Sequence, residues 1–149
     1  MRFTYTSWSP DKSRLRPVIP IRITGPADTA LVDATLDSGS DRTVFPASLA
    51  PVLGLDLASL PWGRAIAVGG AEVPYRRIEA ELCLGDGVEK YTWTGLVYFI
   101  EYALKPALLG HESMLEYFNV VFFGERCKIN MRPNNSFPGV REHKRRHRR

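Results

Sequence analysis

Apolar and polar residues alternate along much of this chain, and a period of two is typical of half-buried β-strands. Residues 77–84 show the alternation most clearly. The apolar members of that segment are Ile78, Ala80, Leu82 and Leu84, and they alternate with Arg77, Glu79, Glu81 and Cys83. The same reading predicts further strands at 16–23, 30–36, 43–45, 88–100 and 119–123. The pattern therefore predicts a chain built mostly of strands.

Glycine and proline separate these predicted strands. The chain has 12 glycines and 11 prolines, which is typical of many short elements joined by turns. Gly69-Gly70 and Asp86-Gly87 predict two hairpin turns. Short helices are expected at 46–55, where Gly54 ends the helical pattern, and at about 111–118. The expected fold class is all-β with one or two short helices.

Length and charge indicate one domain with a basic end. The 149 residues, 44% of them hydrophobic, suit a single core, which we expect at residues 17–132. Residues 1–16 are predicted to be a loose lead-in. Residues 133–149 are predicted to be a basic, disordered tail, because residues 141–149 carry six Arg or Lys against one Glu. Such a tail could tether nucleic acid or an acidic partner.

Composition also narrows the expected compartment. No apolar run approaches the roughly 18 to 20 residues that cross a bilayer, and the first residues show no signal-peptide pattern. Cys83 and Cys127 are too few and too far apart for a disulfide scaffold or a zinc site. The histidines show no metal-ligand spacing. We therefore expect a cytoplasmic protein with no membrane association and no metal.

The candidate chemistry lies in the segment ATLDSGSDRTVFP, residues 34–46. An apolar strand ends at Asp37, the chain bends at Ser38-Gly39, and a second apolar strand follows at once. By itself Asp-Ser-Gly is also a common surface turn. A serine hydrolase that pairs Ser38 or Ser40 with His111 is disfavoured, because the chain has no G-x-S-x-G motif.

Three features occur together in a particular order. The Asp-Ser-Gly segment is followed by AIAVGGAEVPY (65–75), a hairpin with a glycine tip, and then by PALLGHESMLEYFNVVF (106–122). Together they resemble the retropepsin-like aspartic proteases, which are single-domain relatives of the retroviral proteases. The resemblance covers about residues 18–131 and implies a closed β-barrel of the acid-protease type.

The resemblance also implies roles for individual residues. Asp37 corresponds to the catalytic aspartate, Ser38 to the hydroxyl that braces the active-site loops, and Gly39 to the position where substrate lies close. Gly69 and Gly70 correspond to the tip of the flap, although Gly-Gly is also a generic hairpin turn. One further family element is the loop beside the catalytic one, and it corresponds to Leu108, Leu109 and Gly110.

Aspartic protease chemistry needs two carboxylates that share one proton, because two like charges in contact cannot both ionise. This chain has one Asp-Ser-Gly motif, which supplies one carboxylate, Asp37. Asp33 and Asp41 flank it, but neither precedes Ser-Gly or Thr-Gly after an apolar strand. The resemblance therefore implies a homodimeric aspartic endopeptidase, without a cofactor, that acts on peptides or proteins. The alternative is a non-catalytic dimerisation or peptide-binding module of the same fold.

Overall fold

The strands follow one another with short connections in the computed structural model, which describes residues 1–7, 14–67, 69–102 and 104–143. Most residues of these ranges lie in strands, so the predicted all-β class is confirmed. The strands are β1 (Arg2–Thr4), β2 (Val18–Thr24), β3 (Thr29–Leu36), β4 (Val44–Pro46), β5 (Trp62–Ile66), β6 (Glu72–Gly85), β7 (Glu89–Ile100), β8 (Ala107–Leu109), β9 (Phe118–Phe123), β10 (Lys128–Pro133) and β11 (Val140–His143).

The pairing of these strands forms a ring. β7 pairs with β4, β4 with β8, β8 with β3, β3 with β2, β2 with β6, and β6 again with β7. β5 extends this sheet beside β6, and β11 extends it beside β7. A smaller sheet has the order β1-β10-β9. A ring of paired strands is the arrangement that a β-barrel requires.

The alternation read from the sequence explains which side chains fill the ring. Leu82 and Leu84 of β6 are fully buried, whereas Glu81, on the opposite face of the strand, is exposed. Fully burying a leucine contributes about 1.5–3 kcal/mol. Four aromatic rings of the core pack edge to face, those of Tyr91, Trp93, Phe118 and Phe137. Hydrophobic burial of one strand face therefore stabilises the ring.

Strand β8 has a special position because it lies between β3 and β4. It runs parallel to β3, with Leu36 opposite Leu109, and antiparallel to β4, with Val44 opposite Leu108. The loop of residues 37–43, which joins β3 to β4, must therefore pass over the end of β8. We call residues 37–43 the Asp37 loop. This topology places the Asp-Ser-Gly motif directly against the Leu-Leu-Gly segment.

The helical predictions are confirmed at one place and wrong at the other. In the first segment a 3₁₀ turn, Ala47–Leu49, leads into the α-helix α1, Ala50–Leu53. The helix expected at 111–118 is instead a turn with a 3₁₀ segment, Leu115–Tyr117. Ser113 has a φ of 65°, which interrupts a right-handed helix. Phe118 already belongs to β9, where its ring is buried.

Both ends of the chain contain strands that the sequence did not indicate. The prediction of a loose lead-in is wrong for β1, whose residues Arg2–Thr4 pair with β10 while Phe3 packs on the core. The prediction of a disordered tail is wrong for β11, which pairs with β7. Arg141 of β11 forms an ion pair with Glu89 of β7. The tail residues 144–149 lie outside the described residues.

No helix in the described ranges is long and apolar enough to cross a membrane.

Candidate active site

Asp37 follows the last residue of β3 and is fixed by its backbone. The Asp37 N–H donates to the Leu109 carbonyl oxygen at 3.0 Å, and the Leu36 N–H donates to the Pro17 carbonyl oxygen at 3.0 Å. The Asp37 carbonyl oxygen accepts from the Ser40 N–H at 3.2 Å. The residue is half-buried, so its backbone is fixed while part of its surface stays accessible.

The bend after Asp37 turns the chain around the carboxylate. The Gly39 N–H donates to Asp37 Oδ1 at 2.9 Å, a local hydrogen bond of the kind that aspartate forms in turns. Ser38 and Gly39 are both exposed at the tip of the loop. Within the described residues the Ser38 hydroxyl has no hydrogen bond, so the bracing that the sequence assigned to it is not made inside one chain.

Two other hydroxyls brace the loop. The Ser40 hydroxyl donates to the Arg42 carbonyl oxygen at 2.8 Å, and the Thr43 hydroxyl donates to the Glu112 carbonyl oxygen at 2.9 Å. Thr43 is fully buried. The sequence analysis did not predict either brace. A polar residue directly before the apolar pair Val44-Phe45 was the available signal.

The Leu-Leu-Gly segment, residues 108–110, lies against the Asp37 loop. Leu109 is fully buried at the end of β8, and Leu108 is half-buried. A Cβ atom on Gly110 would lie 2.2 Å from the Arg42 carbonyl oxygen and 2.6 Å from that of Ser40. Only a residue without a side chain permits this approach. The His111 N–H then donates to the Ser40 carbonyl oxygen at 2.9 Å.

The glycine tip that the sequence predicted belongs to the turn between β5 and β6. We call β5, the described part of the turn (residues 67 and 69–71) and the start of β6 up to residue 75 the glycine hairpin. Gly69 and Gly70 have φ values of 91° and 83°, a region that side chains disfavour. A Cβ atom at either position would meet nothing within 4 Å. Ile66 beside the tip is 80% exposed. The tip therefore lies in open space.

An aromatic and charged cluster lies between the Asp37 loop and the glycine hairpin, and the sequence analysis missed it. The Arg42 guanidinium lies over the rings of Tyr75 and Tyr98. The Tyr98 hydroxyl donates to Glu112 Oε2 at 2.7 Å. Burial raises the pKa of Tyr98, the bond to Glu112 raises it further, and Arg42 opposes the change. Tyr98 therefore stays a protonated donor. Strand register creates this cluster, so linear spacing could not reveal it.

The two aspartates that flank the Asp-Ser-Gly motif are both exposed. Asp33 is exposed on β3, and four residues of extended strand separate it from Asp37 by about 13 Å. Asp41 is exposed, and its carbonyl oxygen accepts from the Glu112 N–H. In the described part of the chain no hydrogen bond joins either carboxylate to Asp37, whose Oδ1 accepts from the Gly39 N–H.

The side chains near Asp37 do not favour a serine hydrolase or a metal site. The Ser40 hydroxyl is directed to the Arg42 carbonyl oxygen, while His111 is exposed and contacts Ser40 through its backbone N–H. These contacts do not form a serine–histidine pair. Among the residues that the structure describes, no group of three or more His, Cys, Asp or Glu side chains is arranged to hold a metal ion.

Solved structures share this arrangement of strands. A retropepsin-like aspartic protease from Rickettsia conorii is 17% identical to this chain with a TM-score of 0.57, and the match covers 89% of this chain and 98% of that one. The chain has the retropepsin fold. The retroviral protease-like domain of Ddi1 from Leishmania major is 18% identical with a TM-score of 0.52, over 81% and 97% of the two chains.

The retropepsin fold confirms the resemblance that the three sequence features indicated. No family model and no curated protein matches the sequence. At 17% and 18% identity the likeness to the two structures concerns the fold. Function has to be argued from the side chains at the site.

Proposed function

We propose that the chain is an aspartic endopeptidase whose active unit is a homodimer, with one Asp37 from each copy. The observation that carries this proposal is the position of Asp37. The residue lies at the end of β3, its backbone N–H is bonded to Leu109, and it remains partly accessible. Its carboxylate accepts a hydrogen bond from the Gly39 N–H. A surface turn would not require β8 to be inserted beneath it.

The chemistry follows from two such carboxylates in near contact. They hold one proton between them, because like charges that close cannot both ionise. The ionised member takes a proton from a water molecule as the water oxygen attacks the scissile carbonyl carbon. The protonated member donates a hydrogen bond to the carbonyl oxygen, on which charge develops. Collapse of the tetrahedral intermediate breaks the C–N bond, and the leaving amine takes the proton that the aspartate had accepted from water.

The need for a second copy follows from this chemistry and the residues of one chain. Among the residues that the structure describes, no hydrogen bond joins Asp33 or Asp41 to Asp37. Ser38 and Gly39 are exposed at the loop tip, so a second copy can approach this point along a twofold axis. The unbonded Ser38 hydroxyl is then available to brace the two loops against each other.

The glycine hairpin is proposed as the flap that covers a bound peptide. Its tip, with Gly69 and Gly70 at positive φ, is exposed and contacts nothing nearby. A hairpin with an open tip can close over an extended peptide, whose backbone groups it can bind as a further strand would. The proposed substrate is therefore an extended peptide segment.

The proposed compartment is the cytoplasm, and two thiols support it. Cys83 and Cys127 are both free, which suits a reducing environment. We also propose that the basic residues after His143 provide weak, salt-sensitive contacts with nucleic acid or an acidic partner. These contacts would be separate from the peptidase site.

Peptidase assays of purified protein test the proposal. Wild type and Asp37→Asn should be compared on denatured casein and on a mixed peptide library from acidic to neutral pH. Asp37→Asn should reduce cleavage by about a thousandfold or more while circular dichroism stays unchanged, since it removes the shared proton and keeps the shape. Asp33→Asn is the matched control and should remain active.

An inactive wild type would contradict the proposal and favour the non-catalytic module. In that case peptides from the same library should still bind, and Asp37→Asn should bind them equally well. Cleavage by Asp37→Asn at the wild-type rate would also contradict it, because Asp37 would then not be the catalyst.

A further inference from the structure

The Arg42 side chain connects the Asp37 loop with two other strands. Its guanidinium carbon lies 5.0 Å from the centroid of the Tyr75 ring and 5.1 Å from that of Tyr98. The two rings meet edge to face, with centroids 4.9 Å apart and planes at 84°. A guanidinium within about 6 Å of an aromatic face is attracted by the ring quadrupole. Arg42 therefore contacts β6 and β7 together.

The backbone of Arg42 is fixed on the side of the Asp37 loop. Ser40 holds it from within the loop, because the Ser40 hydroxyl donates to the Arg42 carbonyl oxygen at 2.8 Å. Gly110 packs against that same carbonyl group. The guanidinium is thus carried by a backbone that shares its supports with Asp37.

The other end of the contact lies at the base of the glycine hairpin. Tyr75 belongs to β6 and pairs with Gly63 of β5. A Cβ atom on Gly63 would lie 2.4 Å from the Tyr75 hydroxyl oxygen, so the ring of Tyr75 lies across β5. In the described ranges β5 pairs with β6 alone. Tyr75 therefore touches both strands of the hairpin, where the hairpin leaves the ring of strands.

Tyr98 is linked to the Asp37 loop through Glu112. Its hydroxyl donates to Glu112 Oε2 at 2.7 Å, the Glu112 N–H donates to the Asp41 carbonyl oxygen at 2.9 Å, and the Glu112 carbonyl oxygen accepts from Thr43. Tyr98 itself is 4% exposed and cannot move freely. Arg42 is therefore held against a fixed ring on one side and against the hairpin on the other.

We propose that Arg42 is a positioning residue that sets the orientation of the glycine hairpin relative to Asp37. It acts through Tyr75 and touches neither the peptide nor the reacting atoms. The inference rests on the proposed function for its kinetic consequence, because a displaced hairpin would cover the peptide poorly. Its structural consequence, the coupling of the hairpin to the Asp37 loop, does not depend on peptidase activity.

Amide hydrogen exchange tests the coupling directly. In Arg42→Gln, peptides from residues 62–75 should exchange about tenfold faster than in wild type, because the loss of one cation–π contact lowers the local opening free energy. Peptides from β2 and β3 should be unchanged. Arg42→Lys keeps a cation and should restore part of the protection. Arg22→Gln, on the exposed side of β2, is the matched control and should exchange as wild type does.

The kinetic test uses the same variants on a cleavable peptide. Arg42→Gln should lower kcat/KM by about tenfold, mostly through a higher KM, and Arg42→Lys should recover part of the loss. If Arg42→Gln does not fold, Tyr75→Leu removes the same contact and should give the same two results, whereas Tyr75→Phe keeps the ring and should resemble wild type.

Unchanged exchange of residues 62–75 in both Arg42→Gln and Tyr75→Leu would overturn the inference. A wild type without peptidase activity would overturn the proposed function instead, and the exchange experiment would still decide whether Arg42 couples the hairpin to the loop. The two failures are therefore distinguishable.

Discussion

The Asp37 loop and the glycine hairpin both bend the chain between two strands, but they are supported very differently. The Asp37 loop is tied to β8 and to the turn after it through Leu109, Ser40, Thr43 and Glu112. The tip of the glycine hairpin has open space around Gly69 and Gly70. One bend is fixed by neighbours far along the chain, whereas the other is fixed by its own turn.

The difference matches the tasks that we propose for the two bends. A catalytic carboxylate must be held in one place, because misplacement by an ångström can cost orders of magnitude in rate. A flap must open and close, so its tip needs few contacts and a low cost of local opening. In the proposal, Arg42 is the residue that positions the glycine hairpin relative to the fixed Asp37 loop. Changing the support of each bend in turn tests this difference.

The largest effect is expected for Gly110→Ala. The added methyl group would lie 2.2 Å from the Arg42 carbonyl oxygen, so the backbone of the Asp37 loop must move. We expect a loss of about 3 kcal/mol or more in the free energy of unfolding. Gly124→Ala is the matched control, because nothing lies within 4 Å of its Cβ position. Urea denaturation of the two variants measures the difference, and equal stability would contradict the close packing of the loop.

Removing one brace should have a smaller effect. Thr43→Val keeps the shape of a fully buried side chain but leaves the Glu112 carbonyl oxygen without its hydroxyl donor. A loss of about 1–2 kcal/mol in unfolding free energy is expected. Thr94→Val, at an exposed position of β7, should change stability by only about 0.5 kcal/mol. A similar loss in both variants would show that the Thr43 brace contributes nothing specific.

Strain at the hairpin tip should be better tolerated. Gly70→Ala places a side chain at a φ of 83°, which costs about 1 kcal/mol in a rigid backbone. Because the tip has open space around it, the turn can relax, and the loss in unfolding free energy should be below about 1 kcal/mol. Calorimetry of Gly70→Ala and Gly110→Ala under the same conditions measures the two losses in unfolding free energy. A loss as large as that of Gly110→Ala would mean that the tip is packed in solution.

The turn at the other end of β6 predicts a small effect that depends on pH. Burial raises the pKa of Asp86, but N–H groups of Glu89, Val88 and Arg2 donate to its carboxylate and hold its pKa below the usual value. A lowered pKa stabilises the fold above the ordinary carboxylate range, and this contribution is lost as the pH falls through the folded pKa.

Asp86→Asn should therefore reduce stability at neutral pH and have less effect in acid. The effect is the smallest of the series, because water partly screens a turn at the surface. Thermal melts across the pH range, with Asp28→Asn in the β2–β3 turn as the comparison, measure it. A constant difference at all pH values would contradict the role of the Asp86 charge.

Local patterns predicted the local parts of the molecule well. The alternation in β6, the two hairpin turns and the helix that ends at Gly54 follow from side-chain periodicity and turn residues, and they are confirmed. β1 and β11 were missed because each is short, and their partner strands lie far away in the sequence. The helix predicted at 111–118 was wrong because a local pattern does not show what prevents it. The buried ring of Phe118 and the positive φ of Ser113 both reflect tertiary contacts.

The candidate site divides in the same way. The resemblance predicted that Leu109 and Gly110 lie beside Asp37, and the structure brings them together. The role of that segment as a supporting loop stays a prediction. The roles of Asp37, Ser38, Gly39, Gly69 and Gly70 stay predictions. The cluster around Arg42 depends on the register between β6 and β7, and a single sequence does not specify which residues a strand register brings together.

The central claim is that two copies each supply one Asp37 to a single site, and a mixing experiment tests it most directly. Wild type and Asp37→Asn are co-refolded at increasing proportions of the variant, and cleavage is measured per wild-type chain. Mixed dimers hold one aspartate and should be inactive, so an equal mixture should show about half the wild-type activity per wild-type chain, and a large excess of variant should nearly abolish it. Activity per wild-type chain that stays constant at every proportion would contradict the account, because each chain would then hold a complete site.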